Sequence, residues 1–171
     1  MSEILGTLFK YLLALLAITA VVAVLYEALS SNKVSTAVTD LTTLQTNVSQ
    51  LYAGSNTATL SSTATDITAN LANSSSAPSS MVSNGTLVNP WGGAVKVTVA
   101  GATSTVPPEG TIEFDSVPNG ACAKMVSSLW PSMTTVSINS TSATTVTAAI
   151  QACGASTTGS SNNIIFTFNL S

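Results

Sequence analysis

Residues 1–54 read MSEILGTLFKYLLALLAITAVVAVLYEALSSNKVSTAVTDLTTLQTNVSQLYAG, with neither proline nor glycine between Thr7 and Gly54. No charged side chain interrupts Tyr11 to Tyr26. As a helix that run spans about 24 Å, and extending it back to Ile4 gives about 34 Å. Downstream, Val34, Val38, Leu41, Leu44, Val48 and Leu51 recur at steps of 4, 3, 3, 4 and 3. This is the spacing of one apolar stripe on a helix. Nothing between Glu27 and Val34 breaks the pattern, so the reading is one helix of about 50 residues, roughly 75 Å long. Its first half is apolar all round and must be buried in lipid or in protein, whereas its second half is amphipathic and needs cover on one face only.

A secretory signal needs a positive leader, a short apolar core and a small-residue cleavage site. Here Glu3 accompanies Lys10, the apolar run is long, and Leu25-Tyr26-Glu27-Ala28-Leu29 makes a poor cleavage site. A membrane anchor fits better. Nine Leu, Ile and Val residues lie between Leu12 and Leu25. They favour insertion by about 3–5 kcal/mol, comparable to the penalty for one central lysine, so Lys10 must snorkel to the interface. Tyr26 and Glu27 read as the interfacial belt at the end of that span.

Composition narrows the function classes. Charged residues make up 6% of the chain, against roughly 25% in an average soluble domain. The cations are four lysines, Lys10, Lys33, Lys96 and Lys124, with no arginine. Phosphate neutralisation needs clustered cations, so no nucleic-acid partner is expected. Histidine is absent, which removes the commonest general base and metal ligand at neutral pH. Beyond the long helix the acids are Asp66, Glu109, Glu113 and Asp115, and no nucleophile or base accompanies them. Neither catalysis nor a cofactor is expected, and Glu109, Glu113 and Asp115 read as a solvated strand face rather than a weak calcium site. The two cysteines, Cys122 and Cys153, cannot build a thiolate zinc site. In a polar, exported-looking chain they read as one disulfide, and two buried free thiols would require a reducing cytosol.

From Ser55 to Ser83 the chain is rich in Ser, Thr, Ala and Asn, with one short helix expected near Thr65 to Ala72. The period then changes. Ala94 to Val99, Thr111 to Asp115 and Ile164 to Leu170 alternate apolar and polar side chains, as strands of an antiparallel sheet with one covered face. Pro107-Pro108-Glu109-Gly110 connects the first two. Asn119 is a candidate N-cap for a helix running to about Trp130 and stopped by Pro131. A strand from Thr134 to Ile138 and a helix from Thr144 to Cys153, ended by Gly154, complete the pattern. The expected class is α+β, with an N-terminal helix over 1–53 (1–29 apolar, 30–53 amphipathic) and an antiparallel-sheet head over 54–171. Trp91 and Trp130 read as core or interface anchors rather than as a sugar-binding pair.

In this order the elements resemble a type IV pilin, and more specifically the type IVb class of bundle-forming, toxin-coregulated and thin conjugative pilins. Ser31-Asn32-Lys33 followed by the stripe to Leu51-Tyr52 is similar to that family's helix junction. Val88-Asn89-Pro90-Trp91-Gly92-Gly93 is similar to its Asn-Pro-aromatic-Gly turn before the sheet. Gly120 to Val126 resembles its cysteine-bearing helix, and Cys153 takes the place of the partner that closes the family's C-terminal disulfide region.

The resemblance implies a structural subunit that waits in the inner membrane, is processed and N-methylated at Met1 by a prepilin peptidase, and is polymerised by assembly machinery into an extracellular homopolymer. Leu12, Leu16, Val21, Val24 and Leu25 would then lie in the filament core, while Val34, Val38, Leu41, Leu44, Val48 and Leu51 would pack on the head. Family members carry a glutamate at the fifth mature position, whereas this chain has Leu5 there and its acid at Glu3. Gly6-Thr7 is a rival processing site, but cleavage there leaves no glutamate near the start. Lys10 also departs from the pattern, because a buried unpaired cation costs several kcal/mol. Glu3 and Lys10 are about 10.5 Å apart along one helix, so the expected pairing is between subunits. Alternative functions are a minor pilin, a type II secretion pseudopilin, or a membrane-tethered periplasmic binding or adhesion domain that never polymerises.

Overall fold

A computed structural model describes residues 2–53, 60–154 and 161–170, with side chains in the first 30 residues described at 7, 9–16 and 18. The chain divides into two compact units, Met1–Lys33 and Val34–Ser171. Helix α1 runs from Ser2 to Tyr52. Within the second unit its inner face carries Val34, Ala37, Leu41, Leu44 and Val48, all buried. Three polar contacts flank that face. Ser80 Oγ donates to Asp40 Oδ1 at 2.9 Å, Asn47 Nδ2 donates to Ser76 O at 2.7 Å, and Gln45 Nε2 reaches Ser132 O at 3.5 Å.

The remaining elements follow in chain order. They are β1 (Thr65–Asp66), α2 (Thr68–Asn73), β2 (Val82–Ser83), β3 (Thr86–Leu87), β4 (Val95–Ala100), β5 (Glu109–Pro118) and α3 (Asn119–Leu129). A 3-10 turn, Trp130–Ser132, leads on to β6 (Thr135–Ile138), β7 (Thr141–Ala143), α4 (Val146–Gly154) and β8 (Ser161–Asn169). Six strands form one antiparallel sheet in the order β1-β4-β5-β8-β6-β7, and β2 and β3 form a separate hairpin.

Alternation builds the sheet. Val95, Val97 and Val99 on β4, Ile112 and Phe114 on β5, Ile164, Phe166 and Phe168 on β8, and Val136 and Ile138 on β6 all point to one face and are buried. They join the inner face of α1 and Met125, Val126 and Leu129 of α3 in one core. Gly110 pairs with Phe168 across β5 and β8, and a Cβ on it would come within 2.5 Å of the Phe168 ring. Glycine at this position lets the ring cross the neighbouring strand.

Several sequence expectations shift in the structure. Thr65 to Ala72 is not one helix: Thr65 and Asp66 pair with Val99 and Thr98 as an edge strand, and the helix starts at Thr68. Asp66 Oδ1 accepts the Thr68 N–H at 2.9 Å, which turns the chain between the two. Asn119 is not the N-cap of α3. That position is Pro118, whose ring has no group to cap with, and the Asn119 side chain bonds Asn162. The short strands β2, β3 and β7 lie in segments too brief to show a period.

Candidate assembly surface and disulfide region

The disulfide links the buried Cys122 of α3 to the buried Cys153 of α4, with Cα atoms 5.7 Å apart and 31 positions between them. Closing that loop contributes roughly 3.7 kcal/mol in the chain-entropy model. It ties the two head helices together beside β6 and β7, against which α4 also packs.

The stripe on α1 divides unevenly. Val34, Leu41, Leu44 and Val48 are buried, Val38 is half-buried at the edge of the core, and Leu51 is 46% exposed. Leu51 therefore does not continue the buried face. Ala37 takes the inward position one residue before Val38, and Tyr52, four residues after Val48, packs against the core in the last turn. Helical geometry favours this register, since 34, 37, 41, 44, 48 and 52 follow a 3.6-residue turn more closely than the stripe counted through Leu51.

Unit 1 has the opposite character. Phe9, Tyr11, Leu12, Leu13, Leu15, Leu16 and Ile18 are all exposed, from 51% at Leu13 to 69% at Tyr11. Because neighbouring positions project about 100° apart on a helix, these side chains surround the axis instead of forming one stripe. Lys10 is exposed within the same run. The side chains of Glu3, Val21, Val24 and Leu25, and Met1 altogether, lie outside the described residues. Among the described residues no helix is long and apolar enough to cross a membrane, and no group of three or more acid, histidine or cysteine side chains could hold a metal.

Two buried asparagines carry polar structure that the sequence reading passed over. Asn89, 3% exposed, accepts the N–H groups of Trp91 at 2.9 Å and Gly93 at 3.0 Å through Oδ1, and its Nδ2 donates to Asp115 O. It thus fastens the turn before β4 to the bulge in β5 that separates Phe114 from Val117. A Cβ at Gly93 would lie 2.0 Å from Asp115 O, so this approach excludes any larger residue there. Asn162 occupies a buried position of β8 and meets Asn119, Asn139 and Val117. An asparagine in phase with Ile164, Phe166 and Phe168 was the available signal. Trp91 and Trp130 each pack half-buried against the core, as anchors do.

A family model described as PilS N terminal matches residues 31–169, most of the chain. The chain belongs to the PilS family of type IVb-like pilins. A crystal structure of a type IVb pilin from Salmonella typhi is similar at 26% identity with a TM-score of 0.62, covering 79% of this chain and 99% of that one. A search among curated proteins found no match. Over the matched part of the chain the fold described above is thus the fold of a solved type IVb pilin. Membership places this pilin among structural subunits of surface pili rather than among enzymes.

Proposed function

We propose that this pilin is the major subunit of a type IVb-like pilus and polymerises through the first half of α1. One observation carries the reading: the apolar side chains described between Phe9 and Ile18 are exposed around the helix and must find cover. Burying one leucine away from water favours the covered state by about 1.5–3 kcal/mol. Before assembly the cover is the inner membrane, with Lys10 snorkelling to its surface; afterwards it is the matching helices of other copies. Since lipid is as apolar as leucine, the transfer from membrane to filament gains little from hydrophobicity, and side-chain packing with paired charges must set the register.

Within that reading a prepilin peptidase exposes and N-methylates Met1, assembly machinery extracts the chain, and the Ser/Thr-rich head forms the outer face available for adhesion, aggregation or conjugation. Electron microscopy of surface filaments, with amino-terminal sequencing of their subunit, tests it. The expected result is filaments composed mainly of this chain with a methylated N-terminus. Filaments containing it as a trace component would make it a minor pilin or a pseudopilin instead. A detergent monomer from cells without any fibre would leave a tethered periplasmic domain.

A further inference from the structure

We propose that Asn84 is a site of spontaneous deamidation, through a succinimide formed with Gly85, and that the chain's other Asn-Gly pair, Asn119-Gly120, is protected from the same reaction. The two pairs provide an internal comparison. Asn84 and Gly85 form the two-residue loop between β2 and β3, with φ values of 50° and 76°. Asn-Gly is the favoured loop of this kind because both residues need positive φ. The Asn84 side chain is exposed, and no hydrogen bond holds its amide among the described residues. The side of Gly85 where a side chain would stand is open, since a Cβ there would meet only Asn73 Oδ1 at 3.6 Å.

Ring closure needs the loop backbone to leave its hairpin conformation, and here that opening is cheap. The hairpin has two residues on each side and forms a ladder separate from the six-stranded sheet; Leu87 and the neighbouring Met81 anchor its base in the core, while Ser83, Asn84 and Thr86 at its tip are exposed. A two-residue ladder holds that exposed tip with few contacts, and such regions open locally. Asn119 differs on both counts. Its Oδ1 accepts from the buried Asn162 Nδ2 at 2.8 Å, and its backbone forms the first turn of α3, which the disulfide ties to α4 three residues later. Steric access to the glycine is not the distinction, because nothing lies within 4 Å of a Cβ built on Gly120.

The chemistry uses only water. The Gly85 amide gives its proton to solvent base and its nitrogen bonds to Asn84 Cγ; the Cγ–Nδ2 bond breaks and ammonia leaves with a proton from solvent. Water then adds to one of the two ring carbonyls and opens the succinimide. Opening gives aspartate or, where the chain continues through Cγ, isoaspartate. Either product adds one negative charge to a chain of formal net charge −3. Isoaspartate also lengthens the backbone in a loop whose size fixes the pairing of Ser83 with Thr86.

The test incubates the purified full chain in detergent in mildly alkaline buffer and maps its peptides by mass spectrometry over time. The peptide containing Asn84 should gain one mass unit and split into aspartyl and isoaspartyl forms at least about tenfold faster than the peptide containing Asn119, as a difference in local opening demands. Equal rates, or faster reaction at Asn119, would overturn the proposal. So would intact Asn84 over a period in which the denatured, reduced chain reacts at both sites. Asn84→Gln should abolish the early acidic species on anion exchange, and its persistence in that variant would place the reaction elsewhere. None of these outcomes depends on filament assembly.

Discussion

Asn162 on β8 donates from Nδ2 to Asn119 Oδ1 at 2.8 Å, joining the last strand of the sheet to the first residue of the disulfide-bearing helix. The same amide nitrogen reaches Val117 O at 3.3 Å, and its Oδ1 accepts from Asn139 Nδ2 at 2.8 Å. Asn162 is 1% exposed, so its polar atoms have been withdrawn from water and depend on these partners. One side chain therefore ties together the end of β5, the start of α3 and the β6–β7 turn.

Replacing it with leucine removes three hydrogen bonds and leaves Val117 O and the Asn119 and Asn139 amides to find others. An unsatisfied buried polar group costs about 1–3 kcal/mol, and the connected network places the expected loss toward the upper end. Chemical denaturation of the Asn162→Leu variant should show that loss. A change below about 0.5 kcal/mol, the usual range for surface substitutions, would mean that the network holds no net stability.

The uneven stripe on α1 gives a paired expectation. Leu44 is fully buried while Leu51, seven residues on, is 46% exposed. Leu44→Ala should destabilise the head by about 2–5 kcal/mol, the range for buried leucines with incomplete collapse of the cavity. Leu51→Ala should stay within about 0.5 kcal/mol of the parent. Equal effects would show that Leu51 is covered in the folded protein in solution.

At Asp66 the hydrogen bond from the Thr68 side chain, helped by the Thr68 backbone N–H and by Lys96 3.9 Å away, holds the carboxyl below its ordinary value of 3.8, against a smaller opposing effect of burial. A carboxyl with a depressed folded pKa stabilises above its unfolded value, and that contribution fades as pH falls through the folded one. Asp66→Asn should therefore weaken the protein slightly at neutral pH and leave its stability equal to the parent's at the acid end of the titration. The effect is small because both charged side chains are more than half exposed and solvent screens them. Thermal melts of both proteins over acidic buffers would check it; a difference that grows toward low pH has the wrong sign.

The sequence made the long helix and the three alternating strands legible because each carries a period over enough residues to stand out. Val95, Val97 and Val99 announce their face without any knowledge of the fold. Strands β2, β3 and β7 are two or three residues long, too short for any period, and are set by their partners. Stripe phase was harder: Val38 packs against the core at its edge, but alanine at 37 faces inward more completely, and hydrophobicity alone does not single out that alanine. Asn119 looked like a cap because caps are local, whereas its actual partner is 43 positions away. The cysteine pair was readable from composition, since two thiols allow one intramolecular bond.

The charges near the N-terminus carry the sharpest expectation for assembly. Glu3 and Lys10 stand seven residues apart on α1, about 10.5 Å along the axis, beyond the reach of a direct pair within one chain. In a filament core without water, an unpaired ammonium or carboxylate costs several kcal/mol. A neighbour displaced along the filament can meet each with an opposite charge, Glu3 taking an N-terminus or a Lys10 from another copy. Glu3→Ala and Lys10→Ala should each reduce surface filaments strongly while leaving the subunit pool in the cell intact, since the head contains neither residue. The double exchange Glu3→Lys with Lys10→Glu should restore part of the yield if the two residues meet each other, and none if Glu3 meets only the N-terminus. Normal filaments from Glu3→Ala would remove the pairing from the mechanism and leave helix packing alone to set the register.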